Sequence, residues 1–390
     1  MDEKQKSSGP IRRVLTFLLT AALVLGAVFL VANWQKLNFD SIRRYFTYRS
    51  LERNESGQAD SFSYGSGTGS SFLPLGDDLL VCSSGGIRLY STSGGSYIDQ
   101  SCTLENPILT SGGGSGLVYD MGGRQLYVYK GREQVFSLAT EKGRSILSAS
   151  LSAQGLLTVV TQASGVKGSV TVYDAKFQPK LSVNLSSRFI TDAILSPDGS
   201  TLALATAGQS GGIYDSQIAF YRLDRLTGDN APNAVCSLGS DTVLALAWPS
   251  GPLRVLGETQ LSFVGTDGAL AGSYSYGGRY LKSFSLDRDG SCTLLLGKYR
   301  AGSGAELVTV DTAGTELAAL PVTDQVLSLS SSGRYLSVLT ADSLHIYNTD
   351  TMEEPYHVLT ELLGARKVLQ RKDGSVFLIS GESARLYLPD

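Results

Sequence analysis

One short sequence pattern recurs eight times along this chain of 390 residues, and it constrains the fold more than any other feature. Each copy has apolar residues in alternation, then an aromatic residue or valine, then a polar turn, as in "VTVYDAKF" and "LHIYNTDT". Successive copies lie 37 to 48 residues apart. A period of this length, built from strands, is the spacing of the blades of a β-propeller. The residues at the fourth position are Tyr90, Tyr129, Tyr173, Tyr221, Val264, Val310, Tyr347 and Tyr387.

A second pattern precedes most copies of the first. It consists of an apolar strand, a glycine turn and another strand, as in "LSAQGLLTVVT" and "LSPDGSTLALAT". The turn glycines are Gly155, Gly199, Gly290, Gly333 and Gly374. Glycine suits these turns because it tolerates a positive φ angle. We therefore predict repeat units of strand A, turn, strand B, loop, strand C, turn and strand D.

The composition is typical of short strands joined by tight turns. The sequence has 44 glycines and 19 tyrosines, and charged residues make up 18% of it. Together with the eight repeats, this predicts an all-β fold, an eight-bladed β-propeller over residues 60–390. Seven blades is the alternative, if the weaker copies at Val264 or Val310 belong to an expanded neighbouring blade.

The last predicted blade lacks an outer strand, because only three residues follow Tyr387 in the sequence. An unpaired strand edge is unfavourable, and a strand from the other end of the chain is the usual remedy. The segment "DSFSYG", residues 60–65, lies just before the first blade. We predict that residues 60–65 form a clasp strand that completes the last blade.

An apolar segment lies near the amino terminus. Residues 14–33 carry no charge, and as a helix these 20 residues extend about 30 Å, the thickness of the hydrocarbon core of a bilayer. A cleaved signal peptide is the alternative, but its apolar region is shorter and ends in small residues, whereas bulky Trp34 follows here. We predict a transmembrane helix at residues 14–33, in contact with the lipid bilayer, after a short polar tail at residues 1–13.

Charge near the ends of this segment predicts its orientation. Arg12 and Arg13 adjoin it on the amino-terminal side, whereas several arginines after it lie farther away. The positive-inside rule then predicts a single-pass protein of the cell membrane, with a cytoplasmic amino terminus and the propeller outside. Residues 34–59 are predicted to form a juxtamembrane helix and a polar linker. A helix on the lipid headgroups and a solvated stalk helix packed on the main domain are both open alternatives.

Two features resemble a known family. The phrase "SPDGSTLALAT" and the tyrosine-terminated strands resemble those of WD40-like and quinoprotein-like β-propellers. The whole layout resembles uncharacterised bacterial propellers carried on one amino-terminal membrane helix. No Trp-Asp dipeptide ends the strands, and Trp248 is the only tryptophan in residues 60–390, so the tryptophan motifs of quinone-cofactor enzymes are missing. The resemblance implies a binding platform rather than a reaction.

The sequence offers few groups for metals, cofactors or nucleic acid. Its cysteines form no C-x-x-C pair, which predicts buried thiols, with a Cys82–Cys102 bridge as the one alternative. The phrase "DRDG", residues 287–290, predicts a hairpin turn rather than a calcium loop, because no further acidic ligands follow it. The net charge of -3 disfavours a nucleic-acid partner. We expect no cofactor, no metal and no nucleic acid. The four cysteines are Cys82, Cys102, Cys236 and Cys292.

Catalysis has little support in the sequence. The two histidines, His345 and His357, belong to one predicted blade and do not assemble with a nucleophile and an orienting acid. His345 alternates with Leu344 and Ile346, which predicts a strand residue facing the surface. The sequence therefore predicts no enzymatic activity, and a hydrolase or lyase is the remaining alternative.

Several predicted loops between strands B and C are long and glycine-rich, among them "AGQSGGIYDS" and "KYRAGSGAE". In a propeller these loops and the D–A connections share the face at the mouth of the central channel. Exposed aromatic and basic side chains on loops are common anchors of protein interfaces. Variation in loop length without function is the alternative. The candidate ligand-binding residues of these loops are Lys167, Tyr214, Asp215, Lys298, Tyr299 and Arg300.

The channel rim supplies a second set of candidates. Arg144, Arg188 and Arg279 each lie 11 residues before a turn glycine, so they share one position at the start of strand A. Asp241 and Asp324 fall at nearly the same place in their blades. One interpretation is an alternating ring of ion pairs between blades. The other is that the three arginines point into the mouth and bind an anionic group.

These observations predict a membrane-anchored propeller that acts as a binding scaffold or receptor for proteins or cell-envelope components. A sensor or binder of a small anionic or sugar ligand at the channel mouth is the alternative.

Overall fold

The structure is a computed structural model. For residues 10–13, 27–32 and 39 it describes the backbone but not the side chains. Most of the predicted polar tail, Asn33, Trp34 and the "DRDG" turn with Gly290 lie outside the described residues. The chain divides into two compact units, Met1–Ser50 and Leu51–Asp390. The described residues are 10–32, 39–65, 69–224, 231–286 and 291–389.

The described residues of the first unit form two helices, α1 (Pro10–Ala32) and α2 (Phe39–Tyr48). α1 includes most of the segment predicted to cross the membrane, and its apolar side chains Phe17 and Leu25 are exposed. Within the described residues, however, no helix has both the length and the apolar character that a membrane crossing requires. The predicted anchor at residues 14–33 is therefore unconfirmed.

The helix α2 lies inside the segment predicted to hold a juxtamembrane helix. The guanidinium of Arg44 donates a hydrogen bond to Ser41 one turn earlier, at 3.0 Å. Ile42 and Phe46 are both exposed, and their spacing of four residues puts them on one side of the helix. α2 therefore presents an apolar edge to its surroundings.

The described residues of the second unit form eight antiparallel sheets, seven of four strands and one of three. Strand β1 (Phe62–Ser63) comes first in the chain. Blades 1 and 2 are β2 (Ser71–Leu75), β3 (Asp78–Ser83), β4 (Gly86–Tyr90), β5 (Ser96–Ser101), β6 (Pro107–Gly112), β7 (Ser115–Asp120), β8 (Gln125–Lys130) and β9 (Glu133–Ala139). Blades 3 and 4 are β10 (Ile146–Leu151), β11 (Leu157–Thr161), β12 (Gly168–Tyr173), β13 (Pro179–Leu185), β14 (Phe189–Leu195), β15 (Thr201–Ser210), β16 (Ile213–Arg222) and β17 (Ala234–Gly239).

The remaining blades follow the same order of strands. Blades 5 and 6 are β18 (Val243–Ala247), β19 (Leu253–Gly257), β20 (Gln260–Val264), β21 (Leu270–Ser275), β22 (Tyr280–Leu286), β23 (Cys292–Gly297), β24 (Ala305–Val310) and β25 (Glu316–Val322). Blade 7 is β26 (Ser328–Ser332), β27 (Tyr335–Leu339) and β28 (Leu344–Asn348). Blade 8 is β29 (Lys367–Gln370), β30 (Val376–Ile379), β31 (Ser383–Tyr387) and β1.

The predicted all-β fold with eight blades is confirmed. Val264 and Val310 each end the third strand of a separate sheet, so the seven-bladed alternative is wrong. The A strands of most neighbouring blades contact one another, which makes the A strands the inner wall. The described turn glycines Gly155, Gly199, Gly333 and Gly374 have φ angles from 60° to 84°, the conformation for which glycine was expected.

The core lies between the blades. The second strand of a blade, such as β7 or β23, is buried at every residue because neighbouring blades cover both of its faces. Outer strands such as β21 alternate exposed and half-buried residues. Between blades 3 and 4, for example, Val170 packs in one cluster with Ile190 and Leu204. Because both faces of strand B are covered and strand D lies at the outside, strand B is a continuous buried run, and exposed and half-buried residues alternate in strand D.

Hydroxyl groups connect inner strands of adjacent blades. Ser148 on β10 donates a hydrogen bond to Asp192 on β14 at 2.5 Å. The backbone N–H of Ser331 on β26 donates to the hydroxyl of Ser285 on β22 at 3.0 Å. Such bonds fix the register between blades that share no backbone ladder.

The ring closes through a strand from the amino-terminal side of the propeller. β1 pairs antiparallel with β31, with Phe62 opposite Ala384. The hydroxyl of Tyr64 donates a hydrogen bond to the carbonyl of Ser380 at 2.7 Å. The observed strand Phe62–Ser63 lies within residues 60–65, the segment predicted to complete the last blade.

Blade 7 departs from the predicted four-strand unit. Residues 349–366 contain no regular strand, and Leu359 makes an isolated bridge with Leu344 in place of a ladder. Pro355 lacks an N–H donor, and Met352 has a positive φ angle of 55°, so this segment does not extend as a strand. The prediction of strand D is wrong for this blade.

The four cysteines are free thiols, so the Cys82–Cys102 alternative is wrong. Burial is the main cause that raises the pKa of Cys82 to about 12. A protonated, enclosed thiol of this kind is unreactive.

Candidate functional site

The order of strands assigns every loop to one of two faces. B–C loops and D–A connections lie on the face that we call the top face, and A–B and C–D turns lie on the bottom face. All of the candidate ligand-binding residues fall on loops or strand ends of the top face. The structure brings some of them together and separates others.

Arg188 and Asp215 form an ion pair within blade 4. Arg188 Nη1 lies 3.0 Å from Asp215 Oδ2, and Arg188 Nε donates to the hydroxyl of Thr206 at 3.0 Å. Arg188 crosses Gly208, where a Cβ atom would lie 2.9 Å from its Nη1. The guanidinium therefore supports the long hairpin of β15 and β16, and its hydrogen-bonding groups point into the blade.

Arg279 also bonds to its surroundings rather than to an open channel. It forms an ion pair with Glu306 of its own blade, and its Nη2 donates to the hydroxyl of Tyr274 at 2.8 Å. Arg144 differs, because its Nε lies 3.8 Å from the carboxylate of Glu141, three residues earlier, in a more exposed position. The three arginines thus share a place in the repeat but not an environment.

The interpretation of the rim as a ring of ion pairs between blades is wrong. The ion pairs of Arg188 and Arg279 lie within single blades. Asp241 accepts a hydrogen bond from the backbone N–H of Thr259 at 2.9 Å, so it caps a turn of blade 5. Asp324 is exposed. The carboxylates that pair with Arg188 and Arg279, those of Asp215 and Glu306, lie near the start of the third strand of the same blade.

A different feature surrounds the channel mouth: basic side chains lie over aromatic rings near the start of inner strands. Lys167 Nζ lies 5.1 Å from the ring centroid of Phe189, and the guanidinium carbon of Arg300 lies 5.3 Å from that of Tyr280. Phe189 is 55% exposed and Tyr280 is 40% exposed. Cation–π contacts at such exposed sites contribute about 0.5–1 kcal/mol each.

A third pair of this kind was missed in the sequence. Lys367 begins β29, and its Nζ lies 5.6 Å from the ring centroid of Phe72 in blade 1. Lys367 reaches solvent at the mouth, yet the surrounding protein lowers the pKa of its ammonium by desolvation. The signal that could have found these rings is an aromatic residue at the first or second position of strand A.

The B–C loop of blade 6 extends this surface. Tyr299 is 64% exposed, and Lys298 Nζ lies 5.5 Å from its ring centroid. Lys282 on β22 donates to the carbonyls of Arg300 at 2.8 Å and Gly302 at 3.4 Å, which holds the loop against the inner strand. Aromatic and basic groups are therefore presented on an anchored loop.

The tip of the β15–β16 hairpin presents further apolar surface. Ile213 and Tyr214 are both exposed, and the hydroxyl of Ser216 donates to that of Tyr214 at 2.9 Å. Tyr214 therefore lies at a supported hairpin tip. Together with the cation–aromatic pairs, it gives the top face several rigid aromatic groups.

Comparisons with known proteins agree with this fold. The model of a family of unknown function, DUF5711, matches residues 44–360. The crystal structure of the C-terminal WD40 domain of Sif2 superposes with a TM-score of 0.59 at 12% identity, covering 84% of this chain and 97% of that chain. At such low identity this likeness shows the fold alone. No curated protein matches the chain.

Proposed function

We propose that this chain, which belongs to the family of unknown function DUF5711, is a scaffold that binds a protein partner on its top face. The carrying observation is the set of cation–aromatic pairs around the channel mouth. Aromatic and arginine side chains supply most of the binding energy in protein interfaces. The bottom face has cation–aromatic contacts as well, but there carboxylates bond Arg132 and Arg371. The rings of Tyr335 and Phe377, which lie under Arg334 and Arg371, are buried.

The chemistry of the face favours a partner with carboxylates beside apolar groups. The cations Lys167, Lys298 and Arg300 lie against rings, and the exposed rings of Phe189 and Tyr299 supply apolar area. A carboxylate that approaches Arg300 gains a charge-assisted hydrogen bond, while the neighbouring rings exclude water. A small anionic or sugar ligand at the mouth is the alternative occupant, and Lys367 over Phe72 is the observation that favours it.

The test compares two aromatic residues of similar type on opposite faces. A photo-crosslinking amino acid replaces either Tyr299 on the top face or Tyr97 on the bottom face, in cells that express the full chain. Tyr97 is a matched control because it is 42% exposed and lies under Arg132, whose guanidinium carbon is 3.7 Å from the ring centroid and which pairs with Asp78. We expect a discrete crosslinked protein from position 299 and none from position 97.

Substitution then tests the cation–aromatic pairs directly. Phe189→Ser with Tyr280→Ser should reduce crosslinking from position 299 about tenfold or more, since interface aromatics contribute about 2 kcal/mol each. Arg132→Ser should leave it unchanged. Equal crosslinking from both faces, or no effect of the paired substitution, overturns the proposal. Loss of binding to a small anion or sugar in the same variants, without any protein crosslink, supports the alternative occupant instead.

We also propose that the scaffold is held at the cell membrane, with a cytoplasmic amino terminus and the propeller outside. The support is the uncharged sequence of residues 14–33 and the adjoining Arg12 and Arg13. An epitope tag after Asp390 should be removed by protease added to intact cells. A tag that becomes sensitive only after lysis contradicts the orientation, and a tag in the soluble fraction contradicts the anchor.

A further inference from the structure

Polar side chains gather on β28, the outermost regular strand of blade 7. Strand alternation puts Ser343, just before β28, on the same side as His345 and Tyr347. The segment after β28 has no regular strand, and its bridge between Leu359 and Leu344 brings it back along β28. This return path supplies a carboxylate to the imidazole.

The carboxylate is that of Glu354, and it completes a chain of three side chains. His345 Nδ1 lies 2.5 Å from Glu354 Oε1, and His345 Nε2 lies 2.8 Å from Ser343 Oγ. An ionised carboxylate can only accept, so the neutral imidazole donates from Nδ1 to Glu354. Nε2 is then the acceptor for the hydroxyl of Ser343. The order is carboxylate, imidazole and hydroxyl, as in nucleophilic hydrolases.

The imidazole is held in this orientation from a third side. Its ring is parallel to that of Tyr347 within 4°, at 5.8 Å between centroids. Burial, with the nearby charge of Glu354 and a hydrogen bond to it, raises the pKa of Tyr347 to about 12. The side chain of His345 is 27% exposed and that of Glu354 is 34% exposed. His345 is the strand residue facing away from buried Leu344 and Ile346 that its alternation predicted, and its two side-chain partners are what the sequence did not indicate.

Blade 8 shows what the same hairpin looks like without an imidazole. The sequence "TADSLHIY" of blade 7 corresponds to "SGESARLY" of blade 8, with Ser383 in place of Ser343 and Arg385 in place of His345. The hydroxyls of Ser380 and Ser383 lie 2.8 Å apart, as those of Thr340 and Ser343 lie 3.0 Å apart. Hydroxyl pairing closes both hairpins. The imidazole and the carboxylate are additions of blade 7.

We propose that Ser343, His345 and Glu354 form an acyl-transfer site that hydrolyses small carboxylic esters. This activity goes beyond binding on the top face and does not depend on it. The site lies at an edge that solvent reaches, since Ser343 and His345 are both half-buried.

The reaction is a two-step displacement. Ser343 Oγ attacks the ester carbonyl, its proton passes to His345 Nε2, and the alkoxide leaves with that proton as an alcohol. Water then gives a proton to Nε2 and attacks the acyl-serine, which releases the carboxylic acid and restores the hydroxyl. Glu354 stabilises the imidazolium formed in each step. Thr340 Oγ1 lies 3.0 Å from Ser343 Oγ and donates to the carbonyl of Ser343 at 3.2 Å. In the reaction its hydroxyl turns from that carbonyl to the charge on the ester carbonyl oxygen.

The test uses the purified full chain and a fluorophosphonate ester, which phosphonylates an activated serine. We expect one adduct, located on Ser343 by peptide mass spectrometry, and no adduct in Ser343→Ala. His345→Gln should slow labelling at least 100-fold and Glu354→Gln at least tenfold. Ser383→Ala, which removes the matching hairpin hydroxyl in blade 8, should label at the normal rate.

Hydrolysis of p-nitrophenyl acetate should follow the same order among these variants. Thermal unfolding checks that each variant is folded, and Ser383→Ala measures the cost of losing a hairpin hydroxyl. Absence of an adduct on Ser343 in the folded wild-type chain overturns the proposal. Equal labelling in His345→Gln overturns it as well, because the imidazole would then have no part in activating the serine.

Discussion

The bottom and top faces of the propeller differ in what their polar side chains contact. On the bottom face, aspartates close the turns, and Asp311 accepts hydrogen bonds from the N–H groups of Ala313 and Thr315 at 2.8 Å each. Arginine there bonds carboxylate, as Arg132 does with Asp78 at 3.0 Å. The bottom face therefore satisfies these polar groups within its turns and between the turns of adjacent blades, since Arg132 follows β8 and Asp78 begins β3.

On the top face, longer loops leave cations over exposed rings, as with Lys167 over Phe189 and Arg300 over Tyr280. Both faces belong to the same repeat and rest on the same inner strands. Under the function proposed above, the difference teaches that recognition uses the top end of this repeat, whereas the bottom end supplies bonds between the turns of neighbouring blades. Local turns hold the blades together at one end, and loop side chains remain accessible at the other.

The largest expected effect is on the bottom face, at the junction of blades 8 and 1. Arg371 is buried and donates to the carbonyl of Gly76 at 3.0 Å and to Asp77 at 2.6 Å. Arg371→Ala removes these bonds between blades, so we expect the free energy of unfolding to fall by about 3 kcal/mol. Urea unfolding followed by circular dichroism measures it. The control Arg300→Ala on the top face should change it by less than about 0.5 kcal/mol.

A smaller effect is expected from the ion pair beneath the top face. Arg188→Ala leaves Asp215 without its guanidinium and should lower the free energy of unfolding by about 2 kcal/mol. It should also speed proteolytic cleavage at the tip of the β15–β16 hairpin. Unchanged stability together with loss of partner crosslinking from position 299 would instead make Arg188 a ligand-binding residue. That outcome would contradict the structural role of this ion pair beneath the top face.

The smallest effect is expected in the inner wall that joins the faces, and it depends on pH. Burial raises the pKa of Asp192, so the native state holds this proton more tightly than the unfolded chain. The stabilisation is complete below the unfolded value of about 3.9 and is lost as the pH rises through the native value. Asp192→Asn keeps an acceptor for Ser148 and removes this dependence.

We therefore expect Asp192→Asn to raise the melting temperature by roughly 1–3 °C at neutral pH and to leave it unchanged in strong acid. Thermal unfolding of both proteins over that range of pH is the measurement. A lower melting temperature for the variant at neutral pH would mean that the ionised carboxylate stabilises the wall.

The architecture could be predicted because its determinants are local. Tyr173 and Tyr387 end third strands, and glycines such as Gly199 take the positive φ angle that their turns require. Each of these features is encoded within about ten residues. The weaker copies at Val264 and Val310 were sufficient because period and alternation matter more than the identity of the aromatic residue.

For the candidate site, the sequence could predict on which face of the propeller its residues lie, but not which side chains they contact. That Lys167, Tyr299 and Arg300 lie on B–C loops follows from the repeat, but their partners do not. Arg188 meets Asp215, 27 residues later, and Lys367 meets Phe72 across the closure of the ring. Such contacts depend on how loops lie over neighbouring strands, which period and composition do not specify.

The absence of a fourth regular strand in blade 7 was also not predicted, because it too depends on contacts that period and composition do not specify. Pro355 disfavours a strand in this segment and can be seen in the sequence. The path that brings Glu354 to His345, however, depends on the bridge between Leu359 and Leu344. The hydroxyl, imidazole and carboxylate come from nearby positions in the chain. Only the irregular return of this segment makes them neighbours.

The clasp between β1 and β31 also has a consequence for synthesis of the protein. Phe62 pairs with Ala384, 322 residues farther along the chain. On the ribosome, β1 therefore emerges long before its partner, while the blades between them fold in succession on local contacts. Until β31 arrives, β1 has no partner strand, so we expect closure of the ring to be the last folding event.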